Sequence, residues 1–355
     1  MKAFSYKAEI NKLNLLTKLY DPSDLLVFDI ETTGFSPETS KLYMIGYAYY
    51  DGDGFTIVQL FNDDGTSEED LLAAFSEVIV PYGKLFHYNG DGFDIPYVEK
   101  KLKDHGMPGI LDDIESIDLY KLLRQFRNLL HLDNLKQKTV ERFLGINRLD
   151  KYSGGDLIKV YKDYLSDRDE AKEKLLFQHN YDDLEGFLAC CSMLSYARLR
   201  AGCFSVSKMQ LRENHLVFSL DLEYELPRRI TCNDSGITIT GNGSSASIQV
   251  PIYLDELKFF FDDYKDYYYL PGEDRAVHKS IASFVDKEHR EQAKKDNCYT
   301  RRKGYFISQF DGEITPGYRH NARDKESYIE LVDSFLKDMN LLTAYARFIV
   351  MKLMK

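Results

Sequence analysis

Residues 25–34 read LLVFDIETTG, and this stretch decides the fold of the first half of the chain. The apolar run of residues 25–30 predicts a buried strand, which the following Thr-Thr-Gly turn ends. Asp29 and Glu31 stand two apart at the end of that strand, so their side chains are expected to share a face. Two neighbouring carboxylates repel each other, and a divalent cation that prefers oxygen ligands, Mg²⁺ or Mn²⁺, supplies the missing counter-charge. An isolated Asp-x-Glu is also compatible with a strand-end turn or a helix cap.

The residues after this strand predict a mixed sheet covered by helices. LYMIGYAYY and FTIVQLF, joined by DGDG, predict a hairpin within residues 42–61, so the first three strands are expected to be antiparallel. KLFHYN at residues 84–89 and the start of SIDLYKLLRQ predict further strands, and helical patterns separate and follow them up to about residue 201. This order of elements predicts an α/β fold.

A third acidic residue, Asp94, lies in FHYNGDGFDIPYVEKKL, where a strand leads through a Gly-rich turn into a helix. Asp is common as a helix N-cap, which is the structural alternative for Asp94. Asp91 fits ordinary Asp-Gly turn chemistry still better. Asn89, at the strand end, is a candidate to orient the turn or to contact a substrate.

A fourth acidic residue, Asp183, lies in LLFQHNYDDLEGFLACC, which predicts a helix. His179 and Asp183 are four residues apart and share a face of that helix. Asp has a low helix propensity, so two in succession indicate a purpose beyond helix formation. The alternative interpretation is a solvated acidic face made by Asp182, Asp183 and Glu185.

Three motifs in this order, DIETTG, NGDGFDIPYVEKKL and HNYDDLEGF, resemble the exonuclease motifs of the DEDD superfamily. SIDLYKLLR and LDNLKQKTVERFLGINR also resemble the YprB-like branch of ribonuclease H-like domains. The resemblance covers about residues 22–200 and implies a mixed five-stranded sheet flanked by helices. It further implies that two divalent metal ions, Mg²⁺ or Mn²⁺, are held by a set of four carboxylates: Asp29, Glu31, Asp94 and Asp183. The implied reaction is two-metal hydrolysis of phosphodiester bonds at the 3′ ends of single-stranded DNA or RNA.

The general base is left open by the spacing of the third motif. By resemblance, His179 is the candidate that takes a proton from the attacking water. One DEDD subclass has His five residues before the last Asp and another has Tyr four before it, whereas here His stands four before Asp183. The base is therefore His179, Tyr181 or neither, and Asp182 and Glu185 remain alternatives for the fourth ligand.

Candidate substrate contacts fall in both halves of the chain. The tight turn Thr32, Thr33 and Gly34 is expected to approach a nucleotide end. The complete set of candidates is Thr32, Thr33, Gly34, Asn89, Phe93, Arg301, Arg302 and Lys303. The three basic residues lie close to aromatic residues that could stack bases, but acidic residues are interleaved, so a solvated surface is the alternative.

The second half of the chain differs in character and carries no resemblance to a family. LVFSLDLEYEL alternates as a half-buried strand, GITITGNGSSASIQVPIYL predicts a strand pair about a Gly-Ser turn, and residues 327–355 predict a helix. We therefore expect a ribonuclease H-like exonuclease domain in residues 1–203 and an α+β accessory domain in residues 204–355.

Composition bounds the partners and the compartment. The net charge of -11 argues against binding nucleic acid by bulk charge, although cations held by carboxylates would offset it locally. The five Cys form no CxxC pair, which argues against a zinc site or a disulfide framework. No apolar run reaches membrane-spanning length and no signal peptide is evident, so a cytoplasmic protein without a membrane partner is expected. Protein partners are not predicted.

Two other functions remain open at this stage. A catalytically degenerate ribonuclease H-like module would bind nucleic acid or a protein without cutting it. The complete set of four carboxylates argues against this alternative, and the unusual position of His179 argues for it. A nuclease with endonucleolytic or structure-selective action is the third hypothesis.

Overall fold

A computed structural model describes the chain except for residues 10–14, 147, 149–151, 153, 313 and 355. The chain divides into two compact units, Met1–Ala197 and Arg198–Lys355.

The first unit is built on a mixed sheet. Its strands are β1 (Lys2–Lys7), β2 (Leu25–Thr32), β3 (Leu42–Tyr50), β4 (Phe55–Phe61), β5 (Lys84–His87) and β6 (Glu115–Asp118). They lie in the order β1-β4-β3-β2-β5-β6. Strands β2, β3 and β4 are antiparallel, and β5 and β6 are parallel to β2. The predicted α/β class, hairpin and mixed sheet are confirmed.

The sheet has six strands in the described residues, one more than the expected five. The additional strand is β1, which pairs with β4 along its whole length. The rings of Phe4 and Tyr6 contact those of Phe177 and Tyr181 on a covering helix. Sequence analysis assigned no element here because the segment is short and mostly exposed.

Helices cover both faces of this sheet. They are α1 (Leu15–Leu19), α2 (Glu68–Ile79), α3 (Asp94–Asp104), α4 (Leu119–Leu123), α5 (Gln137–Leu144), α6 (Gly154–Asp167), α7 (Glu170–Cys190) and α8 (Leu194–Arg200). One core joins Leu26, Phe28 and Ile30 of β2 to α2 and α3. A second core joins Phe61 of β4 to α6 and α7. Because Leu26, Phe28 and Ile30 face α2 and α3, the alternate residues of β2 face the other side.

The second unit consists mainly of antiparallel strands. They are β7 (Phe204–Arg212), β8 (His215–Asp234), β9 (Ile237–Pro251), β10 (Tyr253–Phe260), β11 (Tyr267–Leu270), β12 (Arg275–His278), β13 (Glu291–Gln292), β14 (Tyr299–Ser308) and β15 (Tyr328–Glu330). Three sheets result, in the orders β7-β8-β9, β10-β14-β15 and β12-β11-β13. Helices α9 (Lys279–Ala282), α10 (Asp333–Leu336) and α11 (Met339–Leu353) complete the unit.

Two expectations for the second unit were wrong in detail. Residues 237–251 form the single strand β9 rather than a strand pair. Strand β8 pairs with β9 on both sides of the Gly- and Ser-rich segment, and the pairing shifts register within that segment. The C-terminal helix begins at Met339, since residues 328–330 pair with β14 as strand β15. The predicted alternation of β8 is confirmed, with Leu216, Phe218 and Leu220 fully buried.

Candidate metal centre

Strand β2 presents two carboxylates to helix α7. Asp29 and Glu31 are the residues of β2 that alternate with Phe28 and Ile30, so they lie on the face opposite α2 and α3. The Glu31 side chain is nearly buried and accepts a hydrogen bond from the Tyr43 hydroxyl at 3.3 Å. These contacts hold Glu31 against the sheet.

Helix α7 brings His179 and Asp183 to the same place. The imidazole Nε2 of His179 lies 3.2 Å from Asp183 Oδ2 and 3.6 Å from Glu31 Oε1. One ligand atom from each of Glu31, His179 and Asp183 lies within 4.8 Å of the others. The four-residue spacing within the helix therefore places both side chains at the end of β2, as the sequence predicts.

Asp94 reaches the centre from the start of α3. It is the first residue of that helix, and Phe93 occupies the N-cap position. The side chain of Asp94 does not cap the helix but accepts a hydrogen bond from the backbone N–H of Ile30 at 3.2 Å. Ile30 and Asp94 are 64 residues apart in the sequence. Because Ile30 stands between Asp29 and Glu31 on β2, this hydrogen bond holds the Asp94 side chain next to that pair.

Burial and mutual repulsion raise the pKa values of three of these carboxylates. Burial raises the pKa of Asp29 well above its ordinary range, and repulsion by Asp183, Asp94 and Glu31 raises it further. Burial also raises the pKa of Glu31 to about 7 and that of Asp94 to about 7. Without a counter-charge, ionising all of these groups at neutral pH is unfavourable. The oxygen atoms of the four carboxylates fit a divalent ion such as Mn²⁺ or Mg²⁺.

Sequence analysis missed a buried arginine beside the centre. The Arg148 side chain is 8% exposed and forms ion pairs with Asp183 and with Glu141 of α5. Glu141 is itself almost fully buried and accepts a hydrogen bond from Gln137. An Arg separated from Asp183 by 35 residues gives no local signal in the sequence.

The alternative residues of α7 point elsewhere. The Tyr181 hydroxyl donates to Glu185 at 3.2 Å, and the Tyr181 ring packs on Tyr6. Asp182 accepts a hydrogen bond from Gln178 at 2.6 Å. The structure thus brings His179 and Asp183 to the centre, and it does not bring Tyr181, Asp182 or Glu185 there.

The loop after β2 is closed by internal hydrogen bonds. The Thr32 hydroxyl donates to the carbonyl of Gly34, and Thr33 Oγ1 accepts from the N–H of Lys41, both at 2.8 Å. The two threonine hydroxyls are therefore used within the loop. Phe35, directly after the predicted turn, is 89% exposed, and its ring centroid lies 6.0 Å from that of Phe93. Phe35 is an aromatic residue in a loop rich in turn formers, and it was not among the predicted site residues.

Asn89 has a backbone role at the end of β5. It adopts a left-handed conformation with φ 63°, and its N–H donates to Asp118 Oδ1 at 2.8 Å. A short 3₁₀ turn at Gly90–Gly92 follows and leads to Phe93 and Asp94. Asn89 therefore sets the direction of the turn that delivers Asp94.

The basic residues of β14 are engaged in ion pairs within the second unit. Arg301 pairs with Glu256 and Asp274, and Arg302 pairs with Glu330. Lys303 is exposed on the same strand. A phosphate bound to the two arginines would have to compete with these carboxylates.

A second group of possible ligands, His87, Asp91 and Asp118, does not suit a metal ion. Burial lowers the pKa of His87, which favours its neutral ring. The backbone N–H of Gly90 donates to Nδ1 at 2.9 Å, which leaves the ring proton on Nε2, facing the Ser116 hydroxyl at 2.7 Å. Both ring nitrogens are then occupied, and the ammonium of Lys121 already neutralises Asp91.

The chain resembles known proteins over part of its length. A family model of the RNase_H superfamily matches residues 26–189. DNA polymerase 1 of Aeropyrum pernix is 27% identical over 155 residues, which cover 37% of this chain and 15% of that polymerase. The solved structure of the family B DNA polymerase from Pyrobaculum calidifontis is 20% identical, with a TM-score of 0.41, and covers 50% of this chain and 25% of its own. The chain thus spans a small part of these relatives, and the residues matched by the RNase_H superfamily model include every residue of the candidate metal centre.

Among the described residues, no helix combines the length and the apolar character needed to cross a lipid bilayer.

Proposed function

We propose that this chain is a metal-dependent 3′–5′ exonuclease that removes nucleotides from the ends of single-stranded DNA or RNA. The observation that carries the proposal is the convergence of Asp29, Glu31, Asp94 and Asp183, on three separate elements, with pKa values raised for the first three. Buried carboxylates that repel one another are expected where a cation completes the site. The match of residues 26–189 to the RNase_H superfamily supports a nuclease-like activity.

In this proposal the four carboxylates hold two divalent ions, Mg²⁺ or Mn²⁺. When bound, such ions lower the pKa of a water molecule and neutralise charge on a scissile phosphate. Tyr43 restrains Glu31 by its hydrogen bond, and the Ile30 N–H restrains Asp94. The positions of the ligands are thus set before a cation or a substrate arrives.

His179 is the proposed general base. Its ring would take a proton from the attacking water, and its Nε2 lies 3.2 Å from Asp183 and 3.6 Å from Glu31. These two carboxylates would stabilise the imidazolium that forms. Tyr181 is a poorer candidate because its hydroxyl is bonded to Glu185 on another side of α7.

The proposed substrate end lies against the loop after β2. Phe35 exposes its ring next to the half-buried ring of Phe93, which directly precedes Asp94 in the chain, and aromatic faces bind unpaired bases without regard to sequence. Thr32, Thr33 and Gly34 would contribute through the backbone of the loop, whose shape their hydrogen bonds maintain. Asn89 and the strand residues Arg301, Arg302 and Lys303 remain further proposed contacts.

The experiment uses single strands of DNA and RNA labelled at the 5′ end, incubated with Mn²⁺, Mg²⁺ or EDTA. A ladder that shortens from the 3′ end, present with metal and absent with EDTA, is the expected result. A circular single strand should stay intact, and its cleavage would instead support an endonuclease. Strands that stay intact under every condition would contradict the proposal, and retention of the strand in a gel shift would then support the degenerate module.

A further inference from the structure

Two fully buried amides lie beneath the carboxylates, Gln59 on β4 and Asn180 on α7. Gln59 Nε2 donates to the carbonyl oxygen of Phe177 and to Asn180 Oδ1, each at 2.9 Å. Asn180 Nδ2 donates to Asp29 Oδ2 at 3.0 Å. The amides therefore form a relay from the backbone of α7 to a carboxylate of the metal centre.

The orientation of both amides is fixed by the Phe177 carbonyl, at the end of the relay away from Asp29. The Phe177 carbonyl can only accept a hydrogen bond, so the amide nitrogen of Gln59 must face it. The same nitrogen reaches Asn180, which must present its oxygen there and its own NH₂ group to Asp29. A reversed Asn180 would set its NH₂ group against the NH₂ group of Gln59 and its oxygen against Asp29 Oδ2.

The sheet leaves a gap of the right shape for Asn180. Asp29, Gly46 and Gln59 are direct cross-strand neighbours on β2, β3 and β4. A Cβ atom on Gly46 would lie 2.1 Å from Asn180 Oδ1, so the side chain of Asn180 occupies the space that Gly46 leaves open. Asn180 thus bridges the two polar side chains on either side of a glycine.

We propose that Asn180 is a positioning residue for Asp29, and that Gln59 and Gly46 hold it in place. This proposal rests on the proposed function, since it concerns how one ligand of the metal centre is oriented. Asn180 fixes one oxygen of a carboxylate that its neighbours repel, which reduces the reorganisation needed when a cation binds. Hydrogen-bond partners of metal ligands commonly contribute about 10–100-fold to metal affinity.

The test measures binding of Mn²⁺ to the full chain from the electron paramagnetic resonance signal of the free ion. Asn180→Ala should weaken Mn²⁺ binding about 10-fold. Gln178→Ala is the matched control, because Gln178 is also an amide of α7 but donates to Asp182 instead. The control should bind Mn²⁺ as the wild type does.

Gly46→Ala provides a second variant that leaves every polar group in place. Its methyl group should displace Asn180 and also weaken Mn²⁺ binding several-fold. Once Asn180 is replaced by Ala, the same methyl group meets no oxygen. Gly46→Ala should therefore have little further effect in the Asn180→Ala background.

The outcomes separate the two proposals. The positioning role of Asn180 would be contradicted if Asn180→Ala bound Mn²⁺ with wild-type affinity. It would also be contradicted if Gly46→Ala weakened Mn²⁺ binding as much in the Asn180→Ala background as in the wild type. Neither result would contradict the proposed metal centre. A wild-type chain that binds no Mn²⁺ would overturn both the relay and the proposed metal-dependent function.

Discussion

At the scale of single residues, the carboxylate of Asp29 lies among three other carboxylates. Replacing it with a neutral side chain should therefore lower activity and raise the stability of the metal-free protein. Asp29→Asn preserves shape but removes one charge. Metal-dependent activity should fall at least about 100-fold because a proposed ligand is lost. The melting temperature in EDTA should rise, by about 2–4 °C for each kcal/mol of relieved repulsion.

The matched control for that prediction is Asp182→Asn, an isosteric change at a residue of α7 that accepts from Gln178. It should leave nuclease activity close to that of the wild type. The measurements are the melting temperature in EDTA and the rate of strand degradation with metal, each compared with the wild type for both variants. A lower melting temperature for Asp29→Asn in EDTA would contradict the electrostatic account.

Arg148 is expected to stabilise the first unit through its buried ion pairs. Arg148→Met would leave Glu141, which is 1% exposed, without its charged partner. Removing one partner of a buried pair costs about 3–5 kcal/mol, measurable by urea unfolding. Adding Glu141→Gln should recover most of this loss, and a double variant no more stable than Arg148→Met would show that the pair is not the cause.

At the scale of elements, the close approach of α5 and α7 depends on a glycine. A Cβ atom on Gly186 would lie 2.1 Å from Glu141 Oε1. Although Ala favours helix more than Gly does, Gly186→Ala should destabilise the protein by about 1–3 kcal/mol through overpacking. Its effect should be visible as a lower midpoint of urea unfolding.

Gly154→Ala at the start of α6 is the comparison for this prediction, because nothing lies within 4 Å of the Cβ position there. That change should be neutral or slightly stabilising, in keeping with helix propensity. Equal midpoints for the two variants would contradict the packing at Gly186.

The elements that sequence analysis predicted well are those with local signals. Strand β2, the hairpin of β3 and β4, and α7 follow from apolar patterning and turn residues, and the spacing of His179 and Asp183 placed both on one face of a helix. Strand β9 was misread because residues 241–245, GNGSS, have the composition of a turn, whereas Gly241, Gly243 and Ser245 pair with β8 across two register shifts. Arg148, Asn180 and Gly46 were missed because their roles depend on contacts between distant segments.

At the scale of the whole molecule, the stability of the metal-free protein should fall as the pH rises from about 4 to about 7. The folded-state pKa values of Glu31 and Asp94 are about 7, above the unfolded values of about 4. The folded protein therefore binds more protons than the unfolded chain in this window, and stability is lost as these protons leave.

Saturating Mn²⁺ should reverse this trend, because a bound cation favours the ionised carboxylates. Urea unfolding at a series of pH values, with EDTA or with Mn²⁺, measures the effect. The slope in EDTA should be smaller in Glu31→Gln, which isolates the contribution of the centre from that of other groups. A metal-free stability that rises throughout this window, in the wild type and in Glu31→Gln alike, would be incompatible with the raised pKa values.

The most direct measurement of the central claim is the release of nucleoside monophosphates from a linear single-stranded oligonucleotide, quantified by mass spectrometry. Wild type and Asp182→Asn should release monophosphates with Mn²⁺ and release none with EDTA, and Asp29→Asn should release almost none with Mn²⁺. Absence of release by the wild type, or equal release by Asp29→Asn, would contradict catalysis at the four carboxylates.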